Sequence, residues 1–274
     1  MRFILCLLFC FTLLAQKPSK DEKRPIDISA DQSEYLELEN QFIFRGNVFV
    51  EDKILKLNCE KLTVKLDAQK QIVKIICDGD VNIRKITAKE RLEANADHAV
   101  YVIADEKVTL TGDPVLKNGK EILRSNKFVF YRQDNRIETG RMTFVYKTEQ
   151  GENADKKRLP IQITADSAVY DDKSSKAVFT GNVKVNDELI FLKSDTLFVS
   201  LNAKREVQKT VARGNVVITK EDEQGQWKSN SGVATYYLKN EKIDLADKPI
   251  LSTNTNKLRS KKIVFSRTSH QTKP

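Results

Sequence analysis

The chain is short of the residues that most chemistry needs. Two histidines in 274 residues leave little room for an imidazole metal site or a His-dependent hydrolase. Ten glycines, six prolines and four cysteines exclude collagen-like and disulfide-dense scaffolds. No nucleophile signature, phosphate-cradling glycine loop, zinc spacing or aromatic-basic platform is present, so the expectation is no enzyme activity, no cofactor, no metal and no nucleic-acid partner. Long apolar runs are missing too, with one exception at the start. Arg2 followed by Phe3 to Leu14 (FILCLLFCFTLL) and Ala15 reads as a signal peptide, 1–15, too short to span a bilayer. Cleavage before Gln16 removes Cys6 and Cys10. Cys59 and Cys77 remain, either a disulfide or two small core residues.

What the chain has instead is repetition. Pro25-Ile26-Asp27-Ile28-Ser29-Ala30-Asp31 returns as Pro160-Ile161-Gln162-Ile163-Thr164-Ala165-Asp166. Phe44-Arg45-Gly46-Asn47-Val48-Phe49-Val50 returns as Phe179-Thr180-Gly181-Asn182-Val183-Lys184-Val185, and Leu123-Arg124-Ser125 as Leu258-Arg259-Ser260. The shift is 135 throughout, and the correspondence runs without a gap from 25–132 to 160–267. A shorter period of 33 lies inside each copy: Gly46, Gly79 and Gly112, then Gly181 and Gly214, with Asp247 in the glycine slot of the last. Between these punctuation marks apolar residues alternate with period two, which predicts an all-β stack and not helix pairs. Residues 148–159 are polar and aperiodic, a linker between repeats spanning 25–147 and 160–267.

Alternation places Ile28, Phe44, Val48, Val50, Leu62, Val64, Val81 and Ile83 on one face of the first copy. Ile163, Phe179, Val183, Val185, Leu197, Val199, Val216 and Ile218 are their counterparts in the second. The residues alone leave two readings open for that face, an ordinary sandwich core or an apolar trough. Asp31 and Asp166 recur beside strand ends, where a carboxylate satisfies local backbone N–H groups, and are expected to be structural. The net charge of +9 comes from 47 basic residues interleaved with 38 acidic ones, a mixed solvated surface. Lys156, Lys157 and Arg158, with Arg259, Lys261 and Lys262, are the clusters that would face an anionic head group.

Ile28-Ser29-Ala30-Asp31, Tyr35 and Phe44-x-Gly46-Asn47-Val48-x-Val50, together with the second set Ile163-Thr164-Ala165-Asp166, Tyr170 and Phe179-x-Gly181-Asn182-Val183-x-Val185, resemble the OstA-like (LptA) family. The resemblance implies a folded-over antiparallel β-sheet (a β-jellyroll or "β-taco") built from two tandem OstA-like repeats. It implies a periplasmic carrier or bridge component that passes the acyl chains of lipopolysaccharide or a related glycolipid along an apolar trough formed by the sixteen residues named above. It also implies partners: other OstA-like modules joined by edge-strand pairing, or further copies in a head-to-tail homo-oligomer, with Pro25–Asp31 and Lys261–Ser266 as the pairing ends. The competing reading is a structural β-repeat protein of the envelope that binds no lipid.

Overall fold

The computed structural model describes residues 27–51, 55–86, 91–119, 121–146, 160–186, 190–202, 207–222, 225–237 and 242–266. The expected signal peptide and the linker fall outside the described residues, as do Lys156, Lys157 and Arg158. Among the described residues there are 22 strands and no helix. They form two compact units, 27–142 with 169–173, and 143–168 with 174–266.

The first unit runs β1 (Asp27–Ser29), β2 (Gln32–Leu36), β3 (Gln41–Glu51), β4 (Leu55–Leu66), β5 (Ile72–Ile86), β6 (Arg91–Val102), β7 (Lys107–Thr111), β8 (Val115–Asn118), β9 (Glu121–Ser125), β10 (Lys127–Tyr131) and β11 (Arg136–Thr139). Strands β3 to β6 form an antiparallel meander. The shorter strands are half-rungs: β1 and β2 both pair with β3, β7 and β8 both pair with β6, and β9 and β10 follow on β8 and β7.

After β12 (Met142–Tyr146), β13 (Ile161–Ala165) and β14 (Ser167–Asp171), the second unit repeats the scheme. Its long strands are β15 (Lys176–Asn186), β16 (Ile190–Leu201), β17 (Val207–Asp222) and β18 (Gly225–Tyr237), followed by β19 (Lys242–Ala246), β20 (Ile250–Thr253), β21 (Lys257–Arg259) and β22 (Lys262–Ser266). Here β13 pairs with β15, both β19 and β20 pair with β18, β21 follows on β20, and β22 follows on β19.

Every long strand bends at one level, and the glycine motif explains why. Register slips between Arg45 and Val48, Asn58 and Lys61, and Asp78 and Val81. It slips again between Thr180 and Val183, Lys193 and Thr196, and Arg213 and Val216. At Gly46-Asn47 and Gly181-Asn182 the φ angles are 75° and 45°, then 79° and 48°. Two successive left-handed residues turn the strand; glycine adopts the first freely, and asparagine or aspartate tolerates the second better than most side chains. That double requirement is the reason for the recurring Gly-Asn and Gly-Asp pairs.

A polar side chain from the neighbouring rung packs onto each bend. Asp31 lies against Gly46, Glu60 against Gly79, Asp97 against Gly112, Asp166 against Gly181 and Asp195 against Gly214. A methyl group added at Gly181 would come 2.5 Å from Asp166 Oδ2. The following asparagine donates to the same carboxylate, Asn47 to Asp31 at 2.9 Å, Asn182 to Asp166 at 2.7 Å and Asn215 to Asp195 at 2.9 Å. Asp31 and Asp166 also donate their backbone N–H to the carbonyls of Gly46 and Gly181, both at 2.9 Å. Both aspartates are structural, as expected, but their carboxylates accept from an asparagine side chain and not from the local backbone N–H groups anticipated.

One pair is inverted. Asp97 and Gly112 of the first copy become Gly232 and Asp247 of the second. The backbone bond is kept, Gly232 N–H to Asp247 C=O at 2.9 Å, but Asp247 and Lys248 now hold φ of 60° and 56° without glycine. The missing Cβ at Gly232 is what lets the Asp247 carboxylate lie against the backbone. Gly181→Ala is expected to cost about 2–4 kcal/mol from the left-handed backbone and the carboxylate contact. Gly232→Asp alone, which presses two carboxylates together, is expected to cost about 2 kcal/mol or more, most of it recovered on adding Asp247→Gly. Urea denaturation of the singles and the double checks both; strict additivity would refute the interlock.

Candidate functional site

The bend turns each unit into two facing walls. In the second unit, wall one holds β13, β20, β21 and the halves of β15 to β18 on one side of the bend. Wall two holds β19, β22 and the other halves. Side chains in register on one strand after another form continuous rows. Wall one carries Ile163, Val185, Leu192, Ile218, Ser229, Leu251 and Leu258 in a single row. Wall two answers with Ala177, Val199, Thr210, Tyr236, Ile243 and Phe265.

Between them lies an apolar cleft, open in part to solvent, with a cavity volume of about 90 Å³. Of the eight residues expected on this face, Ile163, Val185, Leu197, Val199 and Ile218 line it. Phe179, Val183 and Val216 do not. Each is 1% exposed and packs as core at the bend. The cleft also takes Ile161, Ile190, Leu192, Thr210, Ala212 and Tyr236, which the sequence reading did not name. Ile190 and Leu192 were missed for a definite reason. They sit at even positions, whereas Leu197 and Val199 are odd, and the register slip between Lys193 and Thr196 swaps parity on β16 while both pairs stay inward.

The first unit differs. Val48, Leu62, Val64 and Val81 are buried, Phe44, Val50 and Ile83 are half-buried, and Ile28 on the first half-rung is 41% exposed. Tyr35 and Phe42, paired in register beside it, are exposed as well. Further along, Leu92, Leu110, Leu116, Leu123, Phe128, Phe130 and Ile137 are all under 2% exposed. Two exchanges account for part of the contrast at the cleft: Ile75 and Cys77 of the first copy are Thr210 and Ala212 in the second, smaller side chains on wall two.

Cys59 and Cys77 are free and buried, with their thiols hydrogen-bonded to each other. The bond that Cys77 donates to Cys59, with burial adding to it, holds the Cys77 thiol protonated far above its usual range. Cys59 donates to the Lys61 carbonyl at 3.3 Å, and Ser194 in its slot makes the same bond to Thr196 at 3.2 Å. His98 is tied to Asp78, its cross-strand partner on the outer face. The outer face mixes signs, with Lys56 to Glu51 at 2.8 Å and Arg84 to Glu93 at 3.9 Å. Such exposed pairs contribute about 0–1 kcal/mol each. Among the head-group candidates, Arg259 and Lys261 are exposed on the last rung and Lys262 is held by Asp244 at 2.8 Å. No group of metal-ligating side chains occurs among the described residues.

Comparison with known proteins places this geometry. A family model described as the LptA/(LptD N-terminal domain) LPS transport protein matches residues 27–136 and, separately, residues 162–271. No curated protein matches. Among solved structures, the chain is similar to LptH of Pseudomonas aeruginosa, described as the LptA homologous periplasmic component of the conserved lipopolysaccharide transport device. Identity is 20%, the match covers 50% of this chain and 92% of that chain, and the TM-score is 0.40.

Cleft and core are separable by a matched pair of truncations. Val183→Ala removes packed methyl groups and is expected to cost about 2–3 kcal/mol, whereas Val185→Ala, bordering open space two residues away, is expected to cost about 1 kcal/mol or less. Denaturant midpoints read the difference, and equal losses would mean that the cleft is closed in solution.

Proposed function

Because the chain belongs to the LptA/LptD N-terminal family of lipopolysaccharide-transport proteins, matched over both of its repeats, we propose that it is a periplasmic, non-enzymatic carrier that holds lipopolysaccharide acyl chains between the two walls of its second repeat and hands them on. The observation that supports this most directly is the apolar cleft bounded by Ile163, Val185, Leu197, Val199 and Ile218. Transport then needs no chemistry at the protein. Burying a methylene is worth about 0.8 kcal/mol relative to water, but a tail arriving from a membrane or another carrier is already dry. The net free energy of each transfer is small, so the chain is held without being trapped.

The buried Leu92, Phe128 and Phe130 support the competing structural role for the first repeat. In this reading the chain divides into repeats of 25–147 and 160–267 joined at 148–159, behind a signal peptide of 1–15 that directs export. The first repeat braces, and the second carries. The half-rungs β1/β2 of the first unit and β21/β22 of the second are the surfaces for other OstA-like modules or further copies, by addition of strands to a free edge.

A photo-crosslinking residue at Val199 or Val185 in intact cells is expected to yield a lipopolysaccharide adduct, and one at Phe128 is expected to yield none. Equal labelling at all three, or none at the cleft positions with the protein folded, would refute the division.

A further inference from the structure

The two copies differ sharply in the charge on the outer face of wall one. In the second unit two rows of side chains flank the cleft-facing row and point away from it. Lys184, Lys193 and Arg259 stand in one of them, Lys228 and Lys257 in the other, and neither row holds an acidic residue. The same two rows of the first copy carry Lys56, Arg84, Lys117 and Arg124 against Asp27, Glu51 and Glu93. Four cations less three anions leave +1 there, whereas five cations and no anion give +5 in the second copy.

The change comes from both directions. Gln162, Asn186 and Lys228 replace the three acids, and Lys184, Lys193 and Lys257 replace Phe49, Asn58 and Ile122. All five cations of the second copy are exposed, and none has a carboxylate partner among the described residues. Lys184 and Lys193 are direct cross-strand partners, a like-charge pair that is unfavourable without a counter-charge. The carboxylates nearest in the chain, at 187–188 and 221–223, lie at or beyond the strand ends, outside both rows.

From β15 to β21 the cations spread over about 24 Å, five strand spacings of roughly 4.8 Å. They are dispersed on a sheet wall and do not converge, which suits a surface of many negative charges better than one bound anion. A protein interface would gather aromatic, methionine and arginine side chains at its centre and be poor in lysine. Here lysine predominates, and Phe191, the aromatic residue on these rows, is half-buried with Lys193 Nζ 5.2 Å from its ring centroid.

We propose that the outer face of wall one of the second repeat docks on an anionic lipid bilayer. Each lysine or arginine brought near such a surface tightens binding about fivefold, so the contact is diffuse and reversible. Because both rows face away from the cleft, docking leaves the cleft free. It holds whether or not the second repeat carries acyl chains.

The full chain is co-sedimented with vesicles of phosphatidylcholine alone and of phosphatidylcholine mixed with phosphatidylglycerol. Binding is expected to favour the anionic vesicles. It is expected to be lost between about 0.1 M and about 1 M salt, as the Debye length contracts from about 10 Å to about 3 Å. K193N/K228E, which restores the first copy's own asparagine and glutamate, is expected to weaken binding to the anionic vesicles about tenfold or more. K56N/R124E makes the same change of net charge on the equivalent face of the first copy, and is expected to alter binding by less than about twofold. Equal binding to both vesicle types, or an equal effect of the two variants, would overturn the proposal. So would binding to neither vesicle, which would leave the face to an acidic protein surface.

Discussion

The contact on which the rest of the molecule depends is the seating of a side-chain carboxylate against a glycine backbone at each bend. A long flat sheet with one apolar face has nothing to cover that face. Bending every strand at the same level makes the sheet cover itself, and the bend is possible only where two successive residues adopt left-handed φ. Gly46-Asn47 and Gly181-Asn182 meet that demand, and Asp31 and Asp166 hold the bent strand to its neighbour through both backbone and side chain. The inverted pair Gly232–Asp247 shows that the contact is conserved as a pair and not residue by residue. Exchanging the partners keeps one carboxylate and one bare Cα at the bend, at the expense of a left-handed aspartate.

Once two walls face each other, the volume between them is set by side-chain size alone. In the first copy Val50, Leu57, Ile75, Ile83 and Val108, at positions equivalent to cleft-lining residues, are half-buried, and Leu92, Phe128 and Phe130 are buried at other positions. The second copy keeps the same backbone scheme but places Ile263 where the first has Phe128, and Thr210 and Ala212 where it has Ile75 and Cys77. The exchanges run both ways, since Val108 becomes Ile243 and Leu92 becomes Trp227, so the cleft is bounded by a mixture of smaller and larger side chains in the second copy.

Much of this was legible in the sequence, and the misses follow from geometry. The repeat, the all-β class and the bend positions can be read from spacing because glycine marks each bend. Which side chains face inward can be read only while parity holds. On β3 and β5 the bend inserts two residues, so Phe44 and Val48, or Cys77 and Val81, keep the same parity and alternation succeeds. On β4 and β16 only Glu60 or Asp195 intervenes, and inward residues switch parity, from odd to even on β4 and from even to odd on β16, which hid Leu57, Ile190 and Leu192. Alternation also says inward without saying empty. Val183 and Val185 carry the same signal, yet one is core and the other lines the cleft. The parted walls depend on differences of a few methyl groups summed across several strands, and no local pattern encodes that sum.

The ends of the array follow from the same duplication. In the first unit, β10 is covered by β11 along its far edge, and Phe128 and Phe130 are buried there. The second copy repeats the edge as β22 beside β19, with Leu258 and Val264 exposed and no further rung among the described residues. In the first unit Ile28 on β1, Tyr35 on β2 and Phe42 on β3 are exposed. Stacked arrays ordinarily protect their terminal rungs with polar faces or short, charged edges. In the second unit Leu258 and Val264 stand on strands that no further strand covers among the described residues, whereas the first copy closes the equivalent edge by laying β11 on β10, so one edge geometry serves both a covered and an uncovered rung.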